Sequence, residues 1–184
     1  MTNFYFVGVD LGLDGGVALV NGMGGLERLE KMPILTSTVK RPNTKSGKGT
    51  VREYDIAGCR RLISQMQNHG TPSLAEARPV TTLTMEGGFY GPTAQTVRSL
   101  YRGEAIWETL ADMFGVPVLS VTPSTIGAYF GIKNDPEKTK AENKASHRLL
   151  AAKLFPDWAD RFKPVGSDGL ADAALLAEYG RRKA

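Results

Sequence analysis

The chain has 184 residues, enough for one domain with a substantial core. Its 23 Lys and Arg residues outnumber 19 Asp and Glu, and the net charge of +4 favours a polyanionic partner such as nucleic acid without requiring one. The single cysteine, Cys59, excludes an internal disulfide and a cysteine-based zinc cage, and no segment reaches the roughly 20 apolar residues of a membrane span.

In chain order, residues 3–11 read as a strand whose apolar run Phe4-Tyr5-Phe6-Val7-Gly8-Val9 ends abruptly at Asp10. The Gly-rich segment 12–16 turns into a second strand over Val17–Asn21, and glycines at 22, 24 and 25 turn again into a third over Leu26–Met32. These three form an antiparallel meander. From Ile34 to Val51 the chain is polar and basic and reads as a loop or hairpin. A helix follows from about Tyr54 to Asn68, with Ile56, Cys59, Leu62, Ile63 and Met66 at helical spacing. Cys59 falls on that apolar face and is expected to be packed there.

Residues 71–78 connect to a fourth strand, Pro79–Met85, which ends at Glu86 as the first ends at Asp10. A long helix runs from Pro92 to Phe114, then a short strand over residues 115–121, a short helix from Pro123 to Gly131, and a helix after Pro136 reaching Phe155. Residues 156–166 read as loop, and a final helix carries Asp168 and Asp172 four positions apart, on one face. The order predicts a single α/β domain over residues 1–184 with a mixed five-stranded sheet. Asp10 and Glu86 are placed at the C-terminal ends of parallel neighbours, where open α/β sheets put their sites.

Each of these acids has an ordinary reading alone: Asp10 as a turn residue, Glu86 as a strand-end charge, Asp168 as a helix-start acid. Asp14 reads as a turn residue. Four carboxylates meeting in space would repel one another unless cations joined them, which points to a divalent metal. His69 and His147 show no ligand-like spacing.

Together, Val-Gly-Val-Asp10-Leu-Gly, Glu86 after the fourth strand and the closing Asp168-Gly-Leu-Ala-Asp172-Ala-Ala-Leu-Leu-Ala resemble the RNase H-like nucleases. Within them the chain is most similar to RuvC-type Holliday junction resolvases, especially the phage-encoded branch. Arg102-Gly103 in the long helix and Lys144 opening Lys-Ala-Ser-His-Arg-Leu-Leu-Ala-Ala-Lys-Leu-Phe-Pro extend the resemblance over nearly the whole chain. Two features depart from the pattern. Ile126-Gly127 stands where many phage-type members have Trp-Lys, so that one basic contact is missing or is supplied by another residue such as Lys133 or Lys138. The last two acids are four apart, where some members use three or substitute His.

The resemblance implies a crossover junction endodeoxyribonuclease that nicks four-way or other branched DNA in pairs, as a homodimer, in the cytoplasm of a bacterial or phage-infected cell. Asp10, Glu86, Asp168 and Asp172 would hold two Mg²⁺ ions, with Mn²⁺ able to substitute, and Lys144 would act at the scissile phosphate. Phe89 would wedge at the branch point beside Tyr90, and Lys40, Arg41, Lys45, Lys48, Lys133, Lys138 and Lys140 would meet the DNA backbone. Leu100, Ile106, Trp107 and Leu110 offer a dimer surface or ordinary core. A nuclease acting on RNA and a non-catalytic junction-binding module are the alternatives. A sugar-kinase reading of Val-Asp-Leu-Gly needs two such domains and more residues than this chain has.

Overall fold

The computed structural model describes residues 4–40, 48–69, 80–88, 93–132 and 139–184, with Lys140 and Ala141 described by backbone alone. Arg41, Lys45, Phe89, Tyr90, Lys133 and Lys138 therefore lie outside the described residues, as does the side chain of Lys140.

Strands β1 (Tyr5–Val9), β2 (Gly16–Asn21) and β3 (Leu26–Lys31) form the expected meander, and β6 (Val80–Glu86) and β7 (Val118–Val121) complete one five-stranded sheet in the order β3-β2-β1-β6-β7. β1 pairs antiparallel with β2 and parallel with β6, and β6 pairs parallel with β7. Alternation along β1 explains how the sheet is covered on both faces. Val7 and Val9 point into a core shared with Cys59, Leu62, Ile63 and Met66 of α1 (Ile56–Gln67) and with Trp107 and Leu110 of α2 (Ala94–Met113). On the opposite face, Ala18 and Val20 of β2 join Ala151 of α4 (Lys140–Leu154), Phe162 of α5 (Ala159–Phe162) and the alanines of α6 (Asp168–Lys183). Gly8 points to that second face, where a Cβ would lie 2.1 Å from the Ala173 carbonyl oxygen and 2.3 Å from the Ala177 nitrogen. Only glycine lets α6 lie this close to β1.

The helix starts are written in the sequence. Asp55 caps α1 by accepting from the Gly58 amide, Thr93 caps α2, Thr122 caps α3 (Pro123–Phe130), and Thr139 with Glu142 forms a capping box on α4. The first helix accordingly begins after Asp55, and Tyr54 belongs to the preceding strand.

Of the loop and the hairpin that the sequence allows in this stretch, the structure has the hairpin: β4 (Ile34–Lys40) and β5 (Lys48–Tyr54) pair antiparallel in a separate two-stranded sheet, with Lys40 paired to Lys48 at its outer end. One segment differs from the sequence reading. Within 156–166, Pro156–Trp158 is a 3-10 turn and α5 follows at once. Of the two readings of the apolar face of α2, the structure has ordinary core, with Trp107 and Leu110 buried and Leu100 and Ile106 packed against the same core.

Candidate active site

Parallel pairing fixes the first two carboxylates. Val9 of β1 stands opposite Met85 of β6, so Asp10 and Glu86, each the next residue along, occupy adjacent strand tips. The third and fourth arrive with α6, whose first turn rests on the loop after Asp10 through a bridge between Gly15 and Gly169. A Cβ on Gly169 would meet the Asp14 carbonyl oxygen at 2.5 Å and Asp10 Oδ2 at 2.8 Å. The close approach of this glycine seats Asp168 and Asp172 beside Asp10.

The electrostatics follow from that crowding. Asp10 keeps some solvent contact at the strand tip, yet the surrounding protein is dense, and desolvation, followed by the charges of Asp172 and Glu86, drives its carboxyl well above the usual range. Lys144 works against this and Asp168 adds to it, so the other four charged groups all lie within electrostatic reach of Asp10. Burial first, and Asp172 second, push Glu86 up to about 7, opposed by the nearby His147. These two acids are anions that the fold alone disfavours.

Asp168 and Asp172 are held differently, by a ladder of cations on the facing side of α4. Lys144 and Arg148, one turn apart, both donate to Asp168, Lys144 at 3.2 Å and Arg148 from Nη1. Burial acts to raise the Asp168 carboxyl, but these two hydrogen bonds and their charges prevail and hold it below its usual value. His147 Nδ1 lies 2.6 Å from Asp172 Oδ1, and that hydrogen bond raises the imidazole above its ordinary pKa against the opposing effect of burial.

Sequence reading placed Asp10, Glu86, Asp168, Asp172 and Lys144 in one site, and the fold brings those five together. It passed over His147 and Arg148. The signal available for them was their spacing, since Lys144, His147 and Arg148 occupy i, i+3 and i+4 of one helix face, matching Asp168 and Asp172 at i and i+4 of another. Asp14, expected as a turn residue, sits in that turn and bonds Arg52 at 2.7 Å. Lys40 and Lys48 stand at the far end of the hairpin, away from the carboxylates in the strand register.

Among the described residues no group of three or more His, Cys, Asp or Glu side chains forms a ready-made metal shell. The donor chemistry nonetheless fits a hard divalent cation: four carboxylates gather at one end of the sheet, two of them disfavoured as anions, and the other two have basic side chains against them. Asp10 and Glu86 are the side chains whose charge has no comparable local compensation.

A mixed sheet of this order, covered by helices on both faces and with acids at the tips of β1 and β6 and on α6, defines the RNase H-like fold. Solved structures show the same likeness at the level of individual proteins. RuvC of Thermus thermophilus in complex with a Holliday junction substrate is similar with a TM-score of 0.54 and 14% identity over 97% of this chain and 96% of that one. A second structure of Thermus thermophilus RuvC matches with a TM-score of 0.53 and 15% identity over the same shares of the two chains, 97% and 96%. No protein-family model matches the chain, and no curated protein matches it by sequence.

Proposed function

We propose that this chain is a divalent-metal-dependent endodeoxyribonuclease that nicks branched DNA, four-way junctions foremost, in the manner of a junction resolvase. The observation that carries the proposal is the convergence of Asp10, Glu86, Asp168 and Asp172 from three elements at one end of an RNase H-like sheet, with Lys144 among them. That the similar RuvC was solved with a Holliday junction substrate supports branched DNA as the ligand.

Magnesium bound by these carboxylates would supply an activated water and neutralise charge on the phosphate and leaving oxygen, and manganese would substitute. Asp10 and Glu86 would hold it most directly, because a cation would relieve the desolvation and repulsion that raise both carboxyls. Asp168 and Asp172 would complete the set of carboxylate donors. Lys144, which donates to Asp168, would be able to donate to a phosphate oxygen on which negative charge grows. Phe89 and Tyr90 follow Glu86 in sequence after Gly87 and Gly88 and supply the wedge at the branch point. Lys40, Lys48, Lys140 and the basic residues near them meet the flanking backbone. As a resolvase the protein acts as a homodimer that cuts two strands symmetrically, through a surface other than the buried face of α2.

The test is cleavage of a synthetic four-way junction, a fork, a plain duplex and an RNA–DNA hybrid with Mg²⁺ or Mn²⁺, comparing the protein with its Asp10→Asn variant. Junction nicking that Asp10→Asn abolishes, while junction binding persists, is expected. Plain duplex cut as readily as the junction, or a fully active Asp10→Asn, overturns the proposal. Preferential cutting of the hybrid replaces it with an RNA-directed nuclease.

A further inference from the structure

A second polar cavity, of about 260 Å³, opens between the β4–β5 hairpin and the N-terminal half of α2, and it is not used by the chemistry described so far. Its character is unusual for a seam between two packed elements. The α2 face turned toward the hairpin carries Gln95, Arg98, Ser99 and Arg102 at i, i+3, i+4 and i+7, where an apolar stripe would normally close the gap. From the hairpin side come Val51, Arg52, Glu53 and Tyr54. Leu13, in the loop that follows Asp10, completes the wall, so the cavity borders the carboxylate site.

The side chains differ in how well they are satisfied. Arg52 is fixed by the Leu13 carbonyl at 2.8 Å and by Asp14 at 2.7 Å, which makes it part of the frame. Arg102 reaches Glu53 only at 3.8 Å and is half exposed, and exposed Arg98 makes no ion pair with the described residues. Tyr54 is 3% exposed, and its hydroxyl, with the Ser99 side chain as its neighbouring candidate partner, makes no well-formed hydrogen bond among the described residues. A buried hydroxyl with no partner costs about 1–3 kcal/mol and is rare without a reason. Burial, chiefly, pushes that hydroxyl up to about 12, so it keeps its proton and remains a donor at ordinary pH. The cavity thus presents two under-used guanidinium forks and one weakly engaged O–H, with the Glu53 carboxylate as the opposing charge. The forks and the hydroxyl are donors.

We propose that this cavity seats a backbone phosphate of the substrate strand beside the cleavage site, held by Arg98 and Arg102 and by a hydrogen bond from Tyr54 Oη. The assignment rests on the nucleic-acid reading above and extends it to a specific subsite. Guanidinium forks match phosphate oxygens two at a time, and the tyrosine supplies a third direction. The walls offer little apolar surface for a base, with Leu13 and Val51 the aliphatic members, which favours a phosphodiester over a free nucleotide.

The test measures binding to four-way junctions in the Asp10→Asn background, so that no strand is cut, with single neutral methylphosphonate linkages placed at successive positions around the cleavage point. In that parent protein, one position should weaken binding about tenfold. Arg98→Gln should weaken binding to the all-phosphate junction by a similar factor, erase the penalty at that one position, and lower the slope of log K against log salt by about 1. Tyr54→Phe should reproduce part of the loss with its melting temperature unchanged or higher, since a stranded hydroxyl is removed. Penalties that persist at every position in Arg98→Gln, together with an unchanged salt slope, overturn the subsite and leave the nuclease reading standing. Saturation by inorganic phosphate without coupling between Arg98 and any linkage also overturns it, in favour of a small anion. A parent that binds no junction overturns both readings.

Discussion

Glu86 shows how the site's charge is written into its stability. With its carboxyl at about 7 against an ordinary 4.5, the folded protein holds a proton that the unfolded chain has released throughout that interval. The contribution of Glu86 to the stability of the metal-free protein is therefore full below about pH 4.5 and is lost as pH rises through about 7. The gap corresponds to about 3 kcal/mol at most, because each pKa step is about 1.4 kcal/mol. His147, also raised, contributes in the same direction, and the lowered carboxyls of Asp168 and Asp14 matter only at more acid pH. Urea melts in a chelator at pH 5, 6, 7 and 8 should show this decline, and Glu86→Gln should flatten it. A decline of equal size in Glu86→Gln would assign it to other groups. Glu86 and Asp10 were legible in the sequence because a charge that ends an apolar strand needs a reason. His147 and Arg148 were not, because their partners lie 25 and 20 residues away on another helix and the pairing exists only once α4 packs on α6.

Among the elements, α6 joins sheet to site. It packs on β1, β2, β3 and β6 while its first turn delivers two of the four acids, so its seating and the geometry of the carboxylates are one property. Gly8 is the point where this is most sensitive, since a Cβ there would strike the α6 backbone at Ala173 and Ala177 rather than a movable side chain. Gly8→Ala should destabilise the protein by about 1–3 kcal/mol and displace the α6 acids. A thermal melt together with Mg²⁺ titration checks it: a variant with normal stability and normal metal response would show that α6 can shift without disturbing the site. The β1, β2, β3 and β6 patterns were readable because their apolar runs are buried in the sheet. The β4–β5 hairpin was legible only as one of two alternatives, because its residues are mostly exposed or half-buried and no alternation marks an inward face. The four-residue α5 is too short to show a helical period.

At the scale of the whole molecule, a chain of net charge +4 gathers acids at one end of its sheet, so its folding energy and its cation binding are coupled. A ligand that binds only the folded state stabilises it by RT ln(1 + [L]/Kd), about 2.7 kcal/mol at a hundred times Kd, or about 5–10 °C for a domain of this size. Protons and Mg²⁺ compete for Asp10 and Glu86, and with Glu86 at about 7 the competition changes sign of advantage between pH 6 and pH 8. At pH 6 Glu86 is mostly protonated and already relieved, so Mg²⁺ gains little by displacing the proton. At pH 8 the repulsion is fully present, and the cation removes it. Millimolar Mg²⁺ should therefore raise the melting temperature clearly more at pH 8 than at pH 6, matched monovalent salt should not, and Glu86→Gln should lose the difference between the two pH values. A shift that is equal at both pH values, or that monovalent salt reproduces, would mean that general screening and not a site at the strand tips provides the stabilisation. The carboxylates would then be paired by Lys144, His147 and Arg148 alone, and the metal-dependent reading of the whole fold would lose its physical basis.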